Sequence, residues 1–243
     1  MTLTIFPLRG FPEVARGADL AELVAQCHSL EDGDVLVLAH KVVSKVEGRV
    51  VRLDALEPSE RAHELAGSEG DPRYVEAILG EAVRIVRARG PLVIAETRHG
   101  FVCASAGVDA SNAPEAATLV LLPLDPDASA RTIRDRLREL TGRTVAVIVS
   151  DSFGRPWRQG TTDVAVGLAG LTPLLDLRGT SDAVGYELRS TQIAVADEIA
   201  GAAELVMGKT SGIPGAVVRG LTLGDGDGSA RELVMPPDRD LFR

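Results

Sequence analysis

Two clusters of acidic and hydroxyl residues could hold a metal ion. In AGVDASN, residues 106–112, Asp109 can ligate a hard cation through oxygen, and Asn112 can recognise a base edge or a phosphate. In SDSFGRPWRQG, residues 150–160, Asp151 and Ser152 form an acid and hydroxyl pair that is common at Mg²⁺ sites of phosphoryl transfer. An Asx-turn is the structural alternative for Asp109.

Two arginines and the only tryptophan complete the second cluster. Arg155 and Arg158 supply guanidinium groups that suit phosphate or carboxylate. Trp157 lies between them in the sequence, where stacking on a ligand and anchoring of a core or an interface remain equal alternatives.

Lysine is scarce in this chain. Of 26 basic residues only Lys41, Lys45 and Lys209 are lysines, which a codon bias toward arginine would explain. Under such a bias, a position that still carries lysine favours a need for an ammonium group. Lys41 and Lys45 are one helical turn apart and share a face, which costs stability unless an anion lies between them, and solvated lysines are the alternative. Lys209 lies in MGKTSGIPG, residues 207–215, a glycine-bearing loop that can wrap phosphates through backbone amides.

The elements that must position these residues are mixed. The β-branched run at 144–149 predicts a strand whose carboxyl end presents Ser150, Asp151 and Ser152 at the mouth of a sheet. Apolar segments at 92–95 and 101–104 flank a polar turn and predict an antiparallel hairpin. The sequence therefore predicts an α+β fold with mixed sheets.

The remaining pattern fills in the other elements. Strands are predicted at 3–8, 35–38, 49–53, 119–122 and 216–218, and helices at 19–30, 59–66, 73–79 and 193–207. After DPDAS, an amphipathic helix presents Ala130, Ile133, Leu137 and Leu140 to the core. Residues 42–45 fit a short turn or helix, residues 81–86 fit a helix end or a strand, and residues from 224 onward are predicted to form a surface tail.

Composition excludes several classes of function. A net charge of -9, a pI near 5.0 and 3% aromatic residues argue against nucleic acid or an anionic membrane surface as a partner. No apolar run approaches the ~18 residues of a membrane span, so the chain is predicted to be cytoplasmic. Cys27 and Cys103 form neither a disulfide framework nor a metal-spaced pair. Separated acids, several cations and no activated nucleophile favour metal-assisted phosphoryl transfer.

These clusters resemble, in order and spacing, the F420-0:γ-glutamyl ligase family. The resemblance covers nearly the whole chain and is carried by the segments GFPEV, VVSKVEGR, AGVDASN, LDPDAS, SDSFGRPWRQG, VADEIA, MGKTSGIP and VVRGL. The stretch DSFGRPWRQGTTDVAVGLAG is most similar to the actinobacterial branch. A C-terminal nitroreductase-like domain often follows in that branch, and these 243 residues are expected to form one ligase unit without it.

The resemblance implies an activity and its partners. GTP would phosphorylate the terminal carboxylate on the phospholactyl arm of the deazaflavin coenzyme F420-0, and the amine of L-glutamate would attack the acyl phosphate. Repetition would build a short γ-glutamyl tail. The family implies Mg²⁺ or Mn²⁺, with K⁺ as an additional ion, and an intertwined homodimer of two interlocked parts. Open alternatives are the same mechanism on another carboxylate acceptor, and a non-catalytic nucleotide- or deazaflavin-binding module.

The resemblance also assigns site residues. The metal ligands would be Asp109, Asp151 and Ser152, and the catalytic residues Asp109, Asp151 and Lys45. GTP contacts would fall on Phe11, Pro12, Glu13, Val14, His40, Lys41, Lys45, Asn112, Met207, Gly208, Lys209, Thr210, Ser211, Gly212 and Ile213. Two positions depart from the family pattern: Lys209 replaces an acidic or amide residue that helps to hold a second metal, and His40 replaces a small hydroxyl residue.

Overall fold

A computed structural model describes residues 2–224 and 226–241 and shows a mixed α+β fold. The strands are β1 (Thr4–Pro7), β2 (Val35–Ala39), β3 (Val50–Arg52), β4 (Ala82–Arg89), β5 (Leu92–Thr97), β6 (Val102–Ala104), β7 (Thr118–Val120), β8 (Ala146–Arg155), β9 (Arg158–Ala169), β10 (Leu175–Asp176), β11 (Gln192–Ile193) and β12 (Gly215–Arg219). The helices are α1 (Leu20–Cys27), α2 (His40–Glu47), α3 (Glu60–Ala66), α4 (Pro72–Glu81), α5 (Pro126–Thr141) and α6 (Val195–Met207).

The largest sheet has five strands in the order β1-β12-β2-β8-β9. Only β2 and β8 are parallel neighbours, and every other pair in this sheet is antiparallel. Aliphatic side chains of β2, β8 and β12 are fully buried, and α1, α5 and α6 pack against the same core. A sheet covered in this way needs nearly continuous apolar strands, which explains the run from Val35 to Leu38.

A second hydrophobic cluster lies between the smaller sheets and α4. The antiparallel sheet β4-β5-β6 and the ribbon β3-β7 contribute Val93 and Leu119, and α4 contributes Ile78. The hairpin predicted from residues 92–104 is confirmed, because Ile94 pairs with Ala104 across β5 and β6. The ambiguous segment at 81–86 contains both elements, since α4 ends at Glu81 and β4 begins at Ala82.

Polar residues start four of the helices. The side chains of Asp19, Ser59, Asp71 and Asp125 each accept a hydrogen bond from a backbone amide in the first turn of α1, α3, α4 and α5. The helix after DPDAS is confirmed, with Ala130, Ile133 and Leu137 buried. Leu140, which was also predicted to face the core, is 41% exposed because it falls on the edge of the apolar stripe.

Two predictions about local structure were wrong. Residues 150–152 do not follow the end of a strand, because β8 continues through them to Arg155 while paired with β9. The predicted tail from residue 224 is partly packed: Ala230 is buried in a 3-10 turn, and Asp227 pairs with Arg134. Residues 225, 242 and 243 of that tail lie outside the described residues.

Among the helices of the described chain, none combines the length and the apolar character needed to cross a bilayer.

Candidate active site

A cleft of about 170 Å³ lies where β2 ends beside β8. Its lining comes from five parts of the chain that are distant in sequence: Glu13, residues 39–45, Asn112, the β8–β9 pair, and the end of α6 with the loop after it. Ser150 of β8 is level with Ala39, the last residue of β2, so the polar residues 150–152 lie at the carboxyl end of β2 although their own strand continues. Ligand sites commonly form at this edge of a parallel strand pair.

Helix α2 brings two lysines to the cleft. It begins at His40 directly after β2 and ends at Glu47. Gly48 follows with a left-handed φ of 74°, a conformation that suits glycine. His40 and Lys41 are 1% and 9% exposed, so neither is a solvated surface residue. Lys45 follows one turn after Lys41 on the same side, and its side chain is 12% exposed.

All three lysines of the chain line this cleft. Lys41 and Lys45 come from α2, and Lys209 comes from the loop after α6. Among the described residues that line the cleft, none is an arginine, although 26 residues of the chain are basic. A chain that uses arginine almost everywhere else therefore concentrates its ammonium groups at one place.

Two of these lysines are paired with carboxylates. Lys41 Nζ lies 2.5 Å from Asp109 Oδ2 and donates to Ser111 Oγ at 2.7 Å. Burial opposes ionisation of Asp109, but hydrogen bonds from Lys41 and Ser111 outweigh it and lower the Asp109 pKa. Lys45 Nζ lies 2.5 Å from Oε1 of Glu13, whose side chain is 74% exposed.

The Asp109 loop is held by a local turn. Ser111 donates its backbone N–H to Asp109 Oδ1 at 2.6 Å, which is the Asx-turn considered as the structural alternative. The turn and the lysine contact coexist, because Asp109 uses Oδ1 for the turn and Oδ2 for Lys41. Asp109 reaches the cleft through Lys41 and does not itself belong to the described lining.

Asp151 and His40 form a buried pair. His40 Nε2 lies 3.4 Å from Asp151 Oδ1 and has no hydrogen-bond partner within the described chain. Burial lowers the pKa of His40, although the neighbouring Asp151 opposes that change. Burial also raises the pKa of Asp151, although His40 and the backbone N–H of Ser152 oppose that change. Asp151 therefore lacks full compensation for its charge.

Sequence reasoning missed Asp163. This residue of β9 lines the cleft, is 4% exposed, and accepts hydrogen bonds from Ser150 Oγ at 2.8 Å and from Ser152 Oγ at 2.5 Å. The sequence feature that could have revealed Asp163 is the alternation of buried and less buried residues along β9, which places Asp163 on the same face as Ala165. Without β9 in the prediction, that alternation could not be used.

The structure brings most of the sequence-predicted residues together, but not all of them. The lining includes Glu13, His40, Lys41, Lys45, Asn112, Asp151, Ser152, Met207, Gly208, Lys209, Gly212 and Ile213. Within the described chain, Phe11, Pro12, Val14, Thr210 and Ser211 are outside the lining, and Phe11 and Val14 pack on the core. Asn112 Nδ2 donates to the carbonyl of Lys209 at 3.3 Å and so ties the Asp109 loop to the glycine-bearing loop.

Trp157 and its flanking arginines lie away from the cleft. Arg155 and Arg158 are backbone partners across β8 and β9 at the far end of this hairpin, where Trp157 is 81% exposed. This position removes the buried-core alternative for Trp157.

The donors of the cleft suit a hard divalent cation. Asp151 and Ser152 offer oxygen at its wall, and Asp109 adds a second carboxylate once Lys41 leaves it. In the part of the chain that the structure describes, no group of three or more His, Cys, Asp and Glu side chains could hold a metal ion. With so few protein oxygens, an ion bound here would take most of its ligands from water or substrate phosphates, as Mg²⁺ commonly does.

The fold and the site together define the class of protein: an α+β protein with a cleft that gathers lysines, carboxylates and serine hydroxyls. The chain belongs to the F420-0:gamma-glutamyl ligase family, whose model matches residues 10–220. The family predicted from the sequence is thus confirmed.

Similar proteins match along essentially the whole chain. A protein of Methanopyrus kandleri named coenzyme F420:L-glutamate ligase is 50% identical, with 100% of this chain and 98% of that protein covered. A protein of the same name from Methanothermobacter thermautotrophicus is 44% identical, with both chains covered completely. One from Methanocaldococcus jannaschii is 45% identical over 93% of this chain and 90% of its own length.

Proposed function

We propose that this protein is a GTP-dependent ligase that joins L-glutamate to the deazaflavin coenzyme F420-0 through γ-glutamyl amide bonds. The observation that carries the proposal is the convergence of Lys41, Lys45 and Lys209 on one cleft beside Asp151. Ammonium groups opposite carboxylates suit a metal-bound polyphosphate, and the names of the full-length relatives supply the acceptor and the amino acid.

The proposed reaction has two steps. The terminal carboxylate of the acceptor attacks the γ-phosphorus of GTP, so that a carboxylate–phosphate bond forms and GDP leaves. The amine of glutamate then attacks the acyl carbon, loses a proton, and releases inorganic phosphate. Activation is needed because a free carboxylate is a poor electrophile and offers no adequate leaving group.

The lysines would bind the phosphates. Lys41 and Lys45 lie on one face of α2, and Lys209 reaches the cleft from the glycine-bearing loop. Each ammonium is a compact charge that can stabilise phosphate oxygens as negative charge moves onto them. The glycines at 208 and 212 let backbone amides approach the same oxygens.

Asp109, Asp151 and Ser152 would hold Mg²⁺ or Mn²⁺. The ion would supply Lewis-acid polarisation of the γ-phosphate and neutralise charge. Asp151 gains most from it, because burial leaves this carboxylate incompletely compensated. Lys209 replaces the acidic or amide side chain expected at its position, so in this chain an ammonium would do part of the work of a second metal ion.

The same proposal covers the oligomeric state and the cellular location of the protein. The protein would act as an intertwined homodimer of two interlocked parts, would work in the cytoplasm, and could use K⁺ as an additional ion. Size-exclusion chromatography with light scattering tests the dimer, and a monomeric mass at micromolar concentration would reject it.

The decisive test is mass spectrometry of the reaction product. The acceptor is incubated with the protein, L-glutamate, GTP and Mg²⁺ or Mn²⁺, and each component is omitted in turn. We expect the acceptor to gain whole glutamyl units only in the complete mixture, with one GDP and one phosphate released for each unit. An unchanged acceptor in the presence of folded protein would reject the proposed ligase activity. Binding of GTP without turnover would instead favour a non-catalytic nucleotide-binding module.

A further inference from the structure

Asp163 is a buried carboxylate behind the proposed metal ligands. It lies on β9 directly opposite Ser152 of β8, and its side chain is one of the few charged groups buried in the described chain. Burying a carboxylate is costly unless its oxygens receive hydrogen bonds. Both oxygens do: Oδ2 accepts from Ser150 and Oδ1 accepts from Ser152.

These hydrogen bonds fix the direction in which the Ser152 hydroxyl donates. A serine hydroxyl has one proton and two lone pairs, whereas a carboxylate can only accept. At 2.5 Å from Asp163 Oδ1, Ser152 Oγ gives its proton to Asp163 and keeps only lone pairs for the cleft. A hydroxyl oriented in this way can ligate a cation but cannot donate to a phosphate.

We propose that Asp163 is a positioning residue that holds the Ser152 hydroxyl as a lone-pair donor toward a divalent cation in the cleft. The inference rests on the proposed function, because that function places the cation beside Asp151 and Ser152. Groups that orient metal ligands from behind commonly affect metal affinity about 10–100-fold.

The alternative is that Asp163 is itself a ligand, since it lines the cleft. The geometry argues against this, because each of its oxygens already accepts a serine proton and the side chain is 4% exposed. The two roles differ in one measurable respect. A positioning residue acts only through Ser152, whereas a direct ligand acts whether or not Ser152 has a hydroxyl.

The test is a double-mutant cycle on Mn²⁺ binding. The intact protein with saturating GTP and no acceptor is titrated with Mn²⁺, and free Mn²⁺ is followed by electron paramagnetic resonance. Wild type is compared with Asp163→Asn, Ser152→Ala and the double variant. Asp197→Asn is the matched control. Asp197 is a half-buried carboxylate that accepts a hydrogen bond from the backbone N–H of Ala165 in β9, but it lies outside the described lining of the cleft.

We expect Asp163→Asn and Ser152→Ala each to weaken Mn²⁺ binding about 10–100-fold. The double variant should bind Mn²⁺ as well as the single variant that has the lower affinity. Asp197→Asn should bind Mn²⁺ as wild type does. Wild-type affinity in Asp163→Asn would overturn the inference. If the losses of Mn²⁺ affinity in the two single variants add up in the double variant, Asp163 is a direct ligand. If Asp197→Asn loses as much affinity as Asp163→Asn, Asp163 acts only by stabilising the strands.

Two further results distinguish failure of the proposed function from failure of the inference about Asp163. If wild type binds no Mn²⁺ with GTP, the proposed metal-dependent function fails and the inference falls with it. If wild type binds Mn²⁺ and only the cycle fails, the proposed function stands without Asp163. Melting temperatures show whether each variant is folded, and Asp163→Ser replaces Asp163→Asn if the latter unfolds.

Discussion

Lys41 Nζ lies 2.5 Å from Asp109 Oδ2, so a lysine proposed to bind phosphate neutralises a carboxylate proposed to bind metal. The two residues come from α2 and from the loop before β7, and the contact is mostly buried on the lysine side. Mg²⁺ or Mn²⁺ can use this carboxylate oxygen only after the ammonium has moved away. A nucleotide phosphate would give Lys41 a new partner, so metal and nucleotide should bind synergistically.

The first prediction is that Lys41→Gln has opposite effects on the two ligands. Without nucleotide, the variant should bind Mn²⁺ more tightly than wild type, because no ammonium competes for Asp109. It should bind GTP about tenfold more weakly, which corresponds to about 1.4 kcal/mol. Calorimetric titration of each ligand alone, and of Mn²⁺ with GTP present, measures both effects.

Lys45→Gln is the matched control for this prediction. Its carboxylate partner is Glu13, which is not proposed as a metal ligand. The control should lose GTP affinity but gain no Mn²⁺ affinity in the absence of nucleotide. Equal Mn²⁺ affinity in Lys41→Gln and wild type would show that the lysine does not compete with the ion.

The second prediction concerns turnover by Asp109→Asn and Asp151→Asn. Each change replaces an anionic oxygen ligand with a weaker neutral one, and loss of several kcal/mol of electrostatic stabilisation lowers kcat by more than about 100-fold. Glutamyl transfer is measured over a range of Mg²⁺ concentrations. Near-normal kcat in either variant at ordinary Mg²⁺ would exclude that carboxylate as a metal ligand.

The same two variants should change stability in opposite directions. In metal-free protein the Asp109 pKa is lowered, so its ionised form stabilises the fold above its usual pKa, and this contribution is lost as pH falls. The Asp151 pKa is raised, so its ionisation costs stability as pH rises through the folded-state value. At neutral pH with a chelator, Asp109→Asn should therefore melt lower and Asp151→Asn higher than wild type.

Calorimetry at neutral and at acidic pH checks the sign of both changes. A change of 1 kcal/mol corresponds to about 2–4 °C in a domain of this size, so differences of that order are measurable. Both differences should shrink at acidic pH, where the wild-type carboxylates become protonated. Destabilisation by Asp151→Asn in the chelated protein would contradict the assigned direction of its pKa shift.

Much of the fold could be predicted because local patterns coincide with burial. The apolar run at 35–38 is a fully buried strand, and the periodic residues Ala130, Ile133 and Leu137 face the core. Strand β9 was missed because, although its second half VAVGLA is apolar, its first half RQGTTD is polar and contains a glycine. Its pairing with β8 supplies the order that its own sequence does not indicate.

The candidate site could be predicted in composition but not in its contacts. Scarcity singled out Lys41, Lys45 and Lys209, and the structure places all three in one cleft. The pairing of Lys41 with Asp109 joins residues whose relative position depends on packing, which spacing does not show. The same reason hid Asp163, whose role depends on a cross-strand register.

The last prediction is that Lys45→Arg impairs the use of GTP although it preserves charge. Lys45 is not a solvated lysine, because its side chain is 12% exposed in the cleft and its Nζ contacts Glu13 Oε1 at 2.5 Å. A planar guanidinium is broader than an ammonium and presents its donors in a fixed plane, so it cannot occupy the same space between α2 and a phosphate. We expect the GTP KM to rise about tenfold, which corresponds to about 1.4 kcal/mol.

The measurement is steady-state kinetics of Lys45→Arg and Lys41→Arg beside wild type, with melting temperatures as a check on folding. Arg61→Lys in α3 is the converse control, because Arg61 is exposed and pairs only at the surface with Glu64, where substitutions usually change stability by less than about 0.5 kcal/mol. It should leave both KM and kcat unchanged. If Lys45→Arg and Lys41→Arg also keep wild-type kinetics, the cleft needs positive charge but not ammonium groups. The concentration of lysines there would then say nothing about the phosphates of GTP.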